Sequence, residues 1–293
     1  MGRFATTVPL YGELRPPYPA EFFRNVAQRL RLGNEHALID LGTGPGLLAL
    51  GFAPYVGRIV GVDPEPAMLV AARKAAARAS KAITLIESKA EAIPGDVGRF
   101  HVVTIGRALH WMDRDRIAVL WERLVASDGT ILVCSSNSAT DGRNPWLDEY
   151  NKARRFWSES SAGERYHRQL GAVLQGTQFH VTDAITIETS RQISVSDLAR
   201  RVLTFSSSSP AVLGTDAARC STAPPTPELR RLRHRGRRVD GAGGEAIGKG
   251  SAEDIIRLSA FGPSYLKVRL PHLEPRGEQI LADTGARRAG TRW

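Results

Sequence analysis

The sequence predicts an α/β fold: a doubly wound, Rossmann-like and mostly parallel sheet, with a helical cap and an irregular C-terminal tail. Between residues 37 and 134, short β-rich segments alternate with longer amphipathic ones, which is the pattern of β–α–β units. A loop with three glycines in five positions follows the first of these segments. With 293 residues and 42% apolar content, the chain is long enough to bury a substantial core.

Five strands are expected in this region, because each short segment is rich in apolar and β-branched residues. In chain order they are Ala37–Leu41, Arg58–Val62, Ala82–Glu87, Phe100–Gly106 and Thr130–Cys134. Four helices are expected beside them, because apolar residues recur there at spacings of three and four. They are Ala20–Leu32, Gly46–Tyr55, Glu65–Ala79 and Arg114–Ala126, the first entered through the stiff Pro16–Pro19 stretch.

A second group of elements follows the fifth strand and forms the expected cap. Helical spacing covers 146–157 and 166–174, alternation predicts a strand over Phe179–Ile187, and a further helix covers Val195–Phe205. Ser194 precedes that last helix and is suited to cap it. We therefore expect one domain over residues 1–214, made of an arm at 1–34, a core at 35–136, and a cap with the last strands at 137–214.

Residues 215–293 are expected to form a basic, mostly disordered tail. They hold 15 Lys and Arg against 9 Asp and Glu, in a chain with a net charge of +10. Their Pro, Gly and Arg residues follow neither the helical nor the strand period, so this segment buries too little apolar surface to offset its ordering entropy. The first 214 residues are nearly balanced, with 25 basic and 21 acidic residues, which argues against a nucleic-acid-binding stripe there.

The cysteines and the length of the apolar stretches indicate where the protein is located and whether it binds a metal. Cys134 and Cys220, the two cysteines, stand in neither a metal-type nor a paired spacing. The apolar runs fall far short of the roughly 20 residues that a membrane span needs, and the N-terminus does not follow the pattern of an export signal. We therefore expect a cytoplasmic protein without a metal and without membrane contact, in an oligomeric state that the sequence does not specify.

The glycine loop reads Asp40-Leu41-Gly42-Thr43-Gly44-Pro45-Gly46 and lies between an expected strand and an expected helix. A dinucleotide-binding loop would place its third glycine where this chain has Leu47. The glycines allow a sharp turn and a close approach to a ligand, and Asp40 would accept a hydrogen bond from an amine but repel a pyrophosphate. Asp63 ends the next strand, where a carboxylate accepts hydrogen bonds from ribose hydroxyls. The two acids favour a nucleoside that carries an amino acid.

These residues resemble the class I S-adenosylmethionine-dependent methyltransferases, and the resemblance extends through most of residues 8–205. Its motifs are LIDLGTGPG at 38–46, GVDPEPAML at 61–69, SKAEAIP at 88–94 and GRALHWMD at 106–113. The opening Y-x-x-x-R-P-x-Y-P at 11–19 and the HW pair at 110–111 are similar to the branch that includes trans-aconitate methyltransferases. The resemblance implies a class I methyltransferase fold, S-adenosylmethionine as the cofactor, and methyl transfer to a small molecule.

The resemblance also implies which residues hold the cofactor. They are Asp40, Gly42, Thr43, Gly44 and Gly46 around its methionine part, Asp63 on the ribose, Pro64 and Met68 near the adenine, and Ala90 and Glu91 at the polar edge of the base. One position departs from the family pattern, because Lys89 stands where an aspartate commonly contacts the adenine amine. A lysine cannot accept that hydrogen bond, which would leave adenine recognition to backbone groups and weaken binding.

The residues expected to act on the methyl acceptor lie at the end of the fourth strand and in the N-terminal arm. A carboxylate acceptor is already a nucleophile and needs cations to position it, a role open to Arg15 or Arg107. A hydroxyl acceptor must lose a proton, and His110 is the best candidate base, although a histidine that only packs beside the cofactor is the alternative. The candidate pocket wall and lid, each of which also fits plain packing, are Trp111, Tyr11 and Tyr18.

Two other functions stay open on the sequence. A degenerate protein that keeps the fold and binds cofactor without turnover would fit Lys89 and a tail that stands where the family's final strand belongs. An RNA methyltransferase would use the basic run at 230–238 as a sequence-independent anchor. A charged tail without function is the simpler interpretation of that run, so nucleic acid is not the expected partner.

Overall fold

The fold is known from a computed structural model, which describes residues 6–157, 173–175, 177, 179–205, 207–222 and 255–269, with the backbone alone at 185, 222 and 255–269. A seven-stranded sheet runs through this part of the chain. Among these residues, no helix has the length and apolar character needed to cross a membrane.

The sheet is mixed, with its strands in the spatial order β3-β2-β1-β4-β5-β7-β6. The strands are β1 (Ala37–Leu41), β2 (Arg58–Asp63), β3 (Thr84–Glu87), β4 (Phe100–Gly106), β5 (Val125–Ser138), β6 (His180–Ser194) and β7 (Ile255–Arg269). Strands β1 to β5 pair in parallel, and β7 lies antiparallel between β5 and β6. The strand order reverses between β1 and β4, and ligands of open α/β sheets bind at such a reversal, beyond the carboxyl ends of the strands.

Helices connect the strands and build the cap. Before and between the parallel strands lie α1 (Val8–Leu14), α2 (Ala20–Leu30), α3 (Leu47–Phe52), α4 (Pro66–Arg78) and α5 (Arg114–Leu124). The cap contains α6 (Leu147–Phe156), α7 (Val195–Arg200), α8 (Pro210–Leu213) and α9 (Asp216–Thr222). Short 3₁₀ turns occupy Ala90–Ala92, Leu109–Trp111 and Arg201–Thr204.

Two apolar clusters, one on each face of the sheet, form the main core. Neighbouring residues of β1 divide between them: Ile39 packs in the cluster that contains Trp121 of α5, and Leu38 packs in the cluster that contains Phe22 and Phe52. Burial on both faces explains why the parallel strands are continuous apolar runs. A third cluster, with side chains from α6, β6, α7 and α9, forms the core of the cap.

The expected core elements agree with the structure to within a few residues at most ends. Both β1 and β4 have the predicted bounds. Strand β5 begins at Val125 rather than Thr130, because α5 ends at Leu124 and Val125 already pairs with Phe100 of β4. In the cap, the Ser194 hydroxyl accepts a hydrogen bond from the Asp197 N–H and caps α7, as expected. The predicted helix at 166–174 lies almost entirely outside the described residues.

The C-terminal part of the chain differs from the expectation of a disordered tail in two segments. Cys220 of α9 is buried in the core of the cap, and β7 pairs with both β5 and β6. Strand β7 is stabilised by pairing with strands that are distant in the chain, and it covers the backbone edges that β5 and β6 would otherwise expose. The strand whose loss motivated the degenerate-protein alternative is therefore present. The rest of 215–293 lies outside the described residues, and a domain boundary at 214 stays a prediction.

Gly51 in α3 tests the packing beneath the glycine loop. A Cβ at this position would lie 1.9 to 2.4 Å from ring atoms of Phe23, so Gly51→Ala is expected to lower the free energy of unfolding by about 1–3 kcal/mol. Gly12 in α1 is the matched control, because a Cβ there meets nothing within 4 Å, and Gly12→Ala is expected to be neutral or slightly stabilising. Urea unfolding measures both variants, and equal stabilities would contradict this packing.

Candidate active site

The glycine loop turns tightly across the carboxyl ends of β1 and β2. The N–H groups of Gly42 and Thr43 both donate to the carbonyl of Val62, each at 2.9 Å. Gly42 has a φ of 71°, and a Cβ there would lie 2.5 Å from the Cβ of Ala108. Gly44 has a φ of 54° and is open, since a Cβ there would meet only the Met68 sulfur, at 4.0 Å. The positive φ and the contact with Ala108 therefore both require glycine at position 42. At position 44 the loop backbone has free space beside it, so a ligand could approach it there.

Asp40 is buried at the end of β1, with 2% of its surface exposed. Its Oδ2 accepts a hydrogen bond from the Thr43 hydroxyl at 2.8 Å, and its Oδ1 accepts one from the Thr104 hydroxyl at 2.7 Å. Burial raises the pKa of Asp40 to about 6, in spite of those hydrogen bonds. No ion pair reaches this carboxylate from the part of the chain that the structure describes, so a positively charged ligand group would offset its desolvation.

Asp63 is the second carboxylate, at the end of β2 and next to the glycine loop. Its Oδ2 accepts a hydrogen bond from the Gly44 N–H at 2.8 Å, and its Oδ1 accepts one from the Glu65 N–H at 2.9 Å. Burial raises the pKa of Asp63, and these two backbone hydrogen bonds oppose the rise. Each carboxylate oxygen has a further lone pair, so Asp63 can still accept hydrogen bonds from a ligand.

A cavity opens between the glycine loop and the N-terminal arm. Its lining includes seven of the predicted site residues: Tyr11, Tyr18, Asp40, Gly42, Thr43, Gly44 and Arg107. The other lining residues are Pro45, Leu47, Leu48 and Gly106. The loop and strand β1 supply the acidic side of this cavity, and the arm together with Arg107 supplies an aromatic and basic side.

Arg107 follows β4 and has an unusual backbone conformation. Its φ of 57° is in the left-handed region, which a non-glycine residue rarely adopts outside turns and functional sites. The Arg107 N–H donates to the carbonyl of Cys134 in β5 at 2.9 Å. Its guanidinium carbon lies 4.8 Å from the ring centroid of Tyr18 and 5.9 Å from that of Tyr11. The strand end thus directs a cation toward the aromatic side of the cavity.

Two residues of the N-terminal arm continue this basic side away from β4. Tyr11 lies on α1, and Arg15 follows directly after that helix. The guanidinium carbon of Arg15 lies 5.3 Å from the Tyr11 ring and 4.1 Å from the Phe205 ring, and its Nη2 donates to the Thr204 carbonyl at 3.0 Å. Burial alone would raise the pKa of Tyr11, but Arg107 and Arg15 outweigh burial and lower it. Burial lowers the pKa of Arg15 to about 10. Positive charge is therefore concentrated at this side of the cavity.

The remaining predicted site residues, Asp63 and Arg15 among them, do not line this cavity. Gly46 is the N-cap residue of α3, and a Cβ there would contact Leu50 and Ala72 rather than open space. Met68 and Ala90 are buried, and Pro64 is exposed beside Asp63. The Glu91 carboxylate accepts a hydrogen bond from the Asp113 N–H, so part of its acceptor capacity is already used at the start of α5.

His110 and Trp111 lie in the 3₁₀ turn that follows β4. Their ring centroids are 4.9 Å apart, and half of the Trp111 surface is exposed. Neither residue lines the cavity. The structure therefore brings Arg107 and the lid tyrosines together at the cavity and leaves the HW pair beside it.

Sequence reasoning did not identify several residues that shape the site. Thr104 holds Asp40 from the neighbouring strand, and its register opposite Asp40 follows only once β1 and β4 are paired. Tyr150 and Arg201 come from the cap and lie close enough to Arg15 to influence its pKa. No spacing within the sequence relates these two residues to the arm, because they come from separate elements of the cap.

A separate group of His36, His101 and Asp128 lies at the opposite end of the strands. The Nδ1 of His36 accepts a hydrogen bond from the Gly33 N–H, and the Nδ1 of His101 accepts one from the Ala37 N–H. Both Nδ1 atoms are thus already used as hydrogen-bond acceptors within the protein and are not available as metal ligands. These hydrogen bonds favour two histidines that fix the chain before β1 over a metal site.

Comparison with known proteins agrees with this geometry. Residues 38–129, which contain the glycine loop and both carboxylates, match a family described as a methyltransferase domain. An uncharacterized methyltransferase of Bacillus subtilis, YcgJ, is 30% identical over 152 residues, or 51% of this chain and 59% of that protein. The probable S-adenosylmethionine-dependent methyltransferase CRG1 of Saccharomyces cerevisiae is 29% identical over 126 residues, or 41% of this chain and 42% of that protein. This chain thus spans less than two thirds of the length of either relative.

A solved structure agrees at the level of the fold. The putative type II methyltransferase from Anaeromyxobacter dehalogenans superimposes with a TM-score of 0.57 at 18% identity, over 87% of this chain and 97% of that one. Residues 38–129 are thus similar in sequence to a methyltransferase domain, and the described sheet agrees in fold with that solved structure. The similarity does not extend specifically to the trans-aconitate branch.

The raised pKa of Asp40 makes the stability of the protein depend on pH. The folded state binds the Asp40 proton more tightly than the unfolded state, with a pKa of about 6 against 3.8, so stability is lost as pH rises through this interval. Asp40→Asn removes that loss and is expected to raise the free energy of unfolding by up to about 3 kcal/mol at pH 8, with little effect near pH 4. Urea unfolding at both pH values measures this, with the exposed Asp96→Asn as control. A change that is equal at the two pH values would contradict the burial argument.

Proposed function

We propose that this protein transfers a methyl group from S-adenosylmethionine to a small-molecule acceptor. The observation that carries this proposal is the pair of buried carboxylates, Asp40 and Asp63, on either side of a glycine bend at adjacent strand ends. A buried acid next to an open backbone suits an amine and a ribose, and it disfavours a pyrophosphate. The methyltransferase family match over the same residues supports this proposal.

The residues in and beside the cavity fit the cofactor chemically. The Asp40 carboxylate has no ion-pair partner among the described residues and would gain one from the α-ammonium group of the cofactor. Asp63 would accept hydrogen bonds from the ribose hydroxyls, and Gly44 would let the backbone approach closely. Met68, with Pro64, would pack near the adenine, in line with the position of its sulfur beside the loop.

Adenine recognition is the weakest part of the proposed cofactor site. Lys89 is exposed and offers no acceptor to the adenine amine. Ala90 and Glu91 would contact the polar edge of the adenine through their backbone groups. The Glu91 carboxylate would also accept a hydrogen bond there with a lone pair that Asp113 does not use. Binding would therefore depend mainly on the two carboxylates.

S-adenosylmethionine, when bound, would supply an electrophilic methyl group, which the acceptor atom would attack in line while S-adenosylhomocysteine leaves. The protein's task is then to align the acceptor, exclude water and complement charge. Arg107 and the lid residues Tyr11 and Tyr18 would position the acceptor above the glycine loop. A carboxylate acceptor would need no base, whereas a hydroxyl acceptor would need His110 to take its proton.

Cofactor binding tests the proposal directly. Isothermal titration of S-adenosylhomocysteine into the full chain is expected to give a measurable binding heat. Asp63→Ala is expected to weaken binding about tenfold or more, because hydrogen bonds to a charged group are lost. Asp96→Ala is the matched control, since Asp96 is exposed and away from the cavity. If the unaltered protein binds no cofactor, or if both variants bind equally, the proposal fails.

The role of His110 separates the two acceptor classes. Methyl transfer from labelled S-adenosylmethionine is measured with one pool of small carboxylic acids and one pool of alcohols and phenols. His110→Gln is expected to lower the rate by about 10²–10⁴ for a hydroxyl acceptor that needs a base, and to change it little for a carboxylate acceptor. Cofactor binding without transfer to either pool would instead favour the degenerate protein.

A further inference from the structure

The cap places several arginines against the basic side of the cavity. We name as the cap arginine cluster the residues Arg15, Arg107, Arg154, Arg191 and Arg201. In addition to burial, Arg107 and Arg201 lower the pKa of Arg15, and Arg191, Arg107 and Arg154 lower the pKa of Arg201. Arg15 and Arg154 both lie over the Phe205 ring, with guanidinium carbons 4.1 and 5.0 Å from its centroid. Through Arg15 and Tyr11 the cluster is continuous with the cavity.

Two arginines of this cluster and the neighbouring Tyr150 have buried groups with unused hydrogen-bonding capacity. The Nε atoms of Arg15 and Arg201 and the hydroxyl of Tyr150 are inaccessible to solvent and have no hydrogen-bond partner among the described residues. Arg201 as a whole is only 8% exposed. Buried donors of this kind are uncommon in native proteins and call for a partner.

The charge of Arg201 is not neutralised by the described part of the chain. Neither Arg201 nor Arg154 forms an ion pair there, whereas the adjacent Arg200 binds both Glu13 and Asp197. Burial lowers the pKa of Arg201, and the neighbouring Arg191, Arg107 and Arg154 add to this effect, with Tyr150 opposing it. Like charges buried together destabilise a protein, and such arrangements concentrate at functional sites.

We propose that Arg15, Arg201 and Tyr150 form a binding site for a carboxylate of the methyl acceptor. The inference rests on the proposed methyl transfer and specifies the substrate class. Guanidinium Nε–H groups and a phenol O–H are donors that match a carboxylate, and the bound anion would neutralise the cluster. Arg201 and Tyr150 do not line the cavity. This carboxylate therefore anchors the acceptor at a distance from the atom that receives the methyl group.

The three donor groups are buried in this structure, so a ligand can reach them only after the protein opens. Their donor atoms are covered by protein, so a carboxylate reaches them only when the arm and the cap separate. Such opening of a lid segment on ligand binding is common in enzymes.

Arg201→Met tests the site without knowledge of the natural acceptor. In the absence of ligand, removal of an uncompensated buried charge is expected to raise the melting temperature by a few degrees. Arg155→Met is the matched control, because Arg155 is exposed on the same cap and is expected to leave the melting temperature unchanged. A lower melting temperature for Arg201→Met alone would show that Arg201 is a structural residue and would overturn the proposal.

Anion probes give the second readout. Succinate, compared with sodium chloride at equal ionic strength, is expected to stabilise the unaltered protein and Arg155→Met but not Arg201→Met. Tyr150→Phe keeps the ring and removes one donor, so its succinate affinity is expected to fall about tenfold. Equal stabilisation of all four proteins, or stabilisation by phosphate and not by succinate, would overturn the carboxylate assignment. Titration of S-adenosylhomocysteine into the same variants distinguishes this failure from failure of the proposed function, because the cofactor site contains none of these residues.

Discussion

The buried carboxylate of Asp40 is the constraint on which the rest of the site depends. It lies in a strand that is covered on both faces, and hydroxyls of Thr43 and Thr104 hold its two oxygens. The bond to Thr43 also helps fix the start of the glycine loop, and the loop in turn presents the Gly44 N–H to Asp63. A single network thus joins β1, β4, the loop and β2. The desolvation cost of Asp40 within this network is understandable if a cationic ligand group offsets it.

Charge is divided across the cavity. The carboxylates stand at the ends of β1 and β2, and the cap arginine cluster stands on the side of the arm and cap. In a site from which water is excluded, such a division orients a ligand that has a cationic and an anionic end. The proposed substrates follow this division, with the ammonium group of the cofactor toward Asp40 and the anchoring carboxylate of the acceptor toward Arg201.

The sequence was sufficient to predict the parallel core and the loop, because these depend on local patterns. Strand β1, the glycines and both carboxylates lie within 27 consecutive residues, from 37 to 63, and β–α–β connectivity places their strand ends together. Strand β7 was not predicted, since its pairing with β5 and β6 is made across a long separation in the chain. Arg15 and Arg107 were expected at the site, but the cap residues Arg154, Arg191 and Arg201 were not. They come from three separate parts of the cap, and folding alone brings them to the arm.

A crystal structure of the full chain with S-adenosylhomocysteine would show whether Asp40 and Asp63 hold the cofactor. We expect the ribose hydroxyls within hydrogen-bond distance of the Asp63 carboxylate and the amino group facing Asp40 across the glycine loop. Nucleoside density elsewhere on the protein, or a diphosphate bound at the loop beside Asp40, would contradict this expectation.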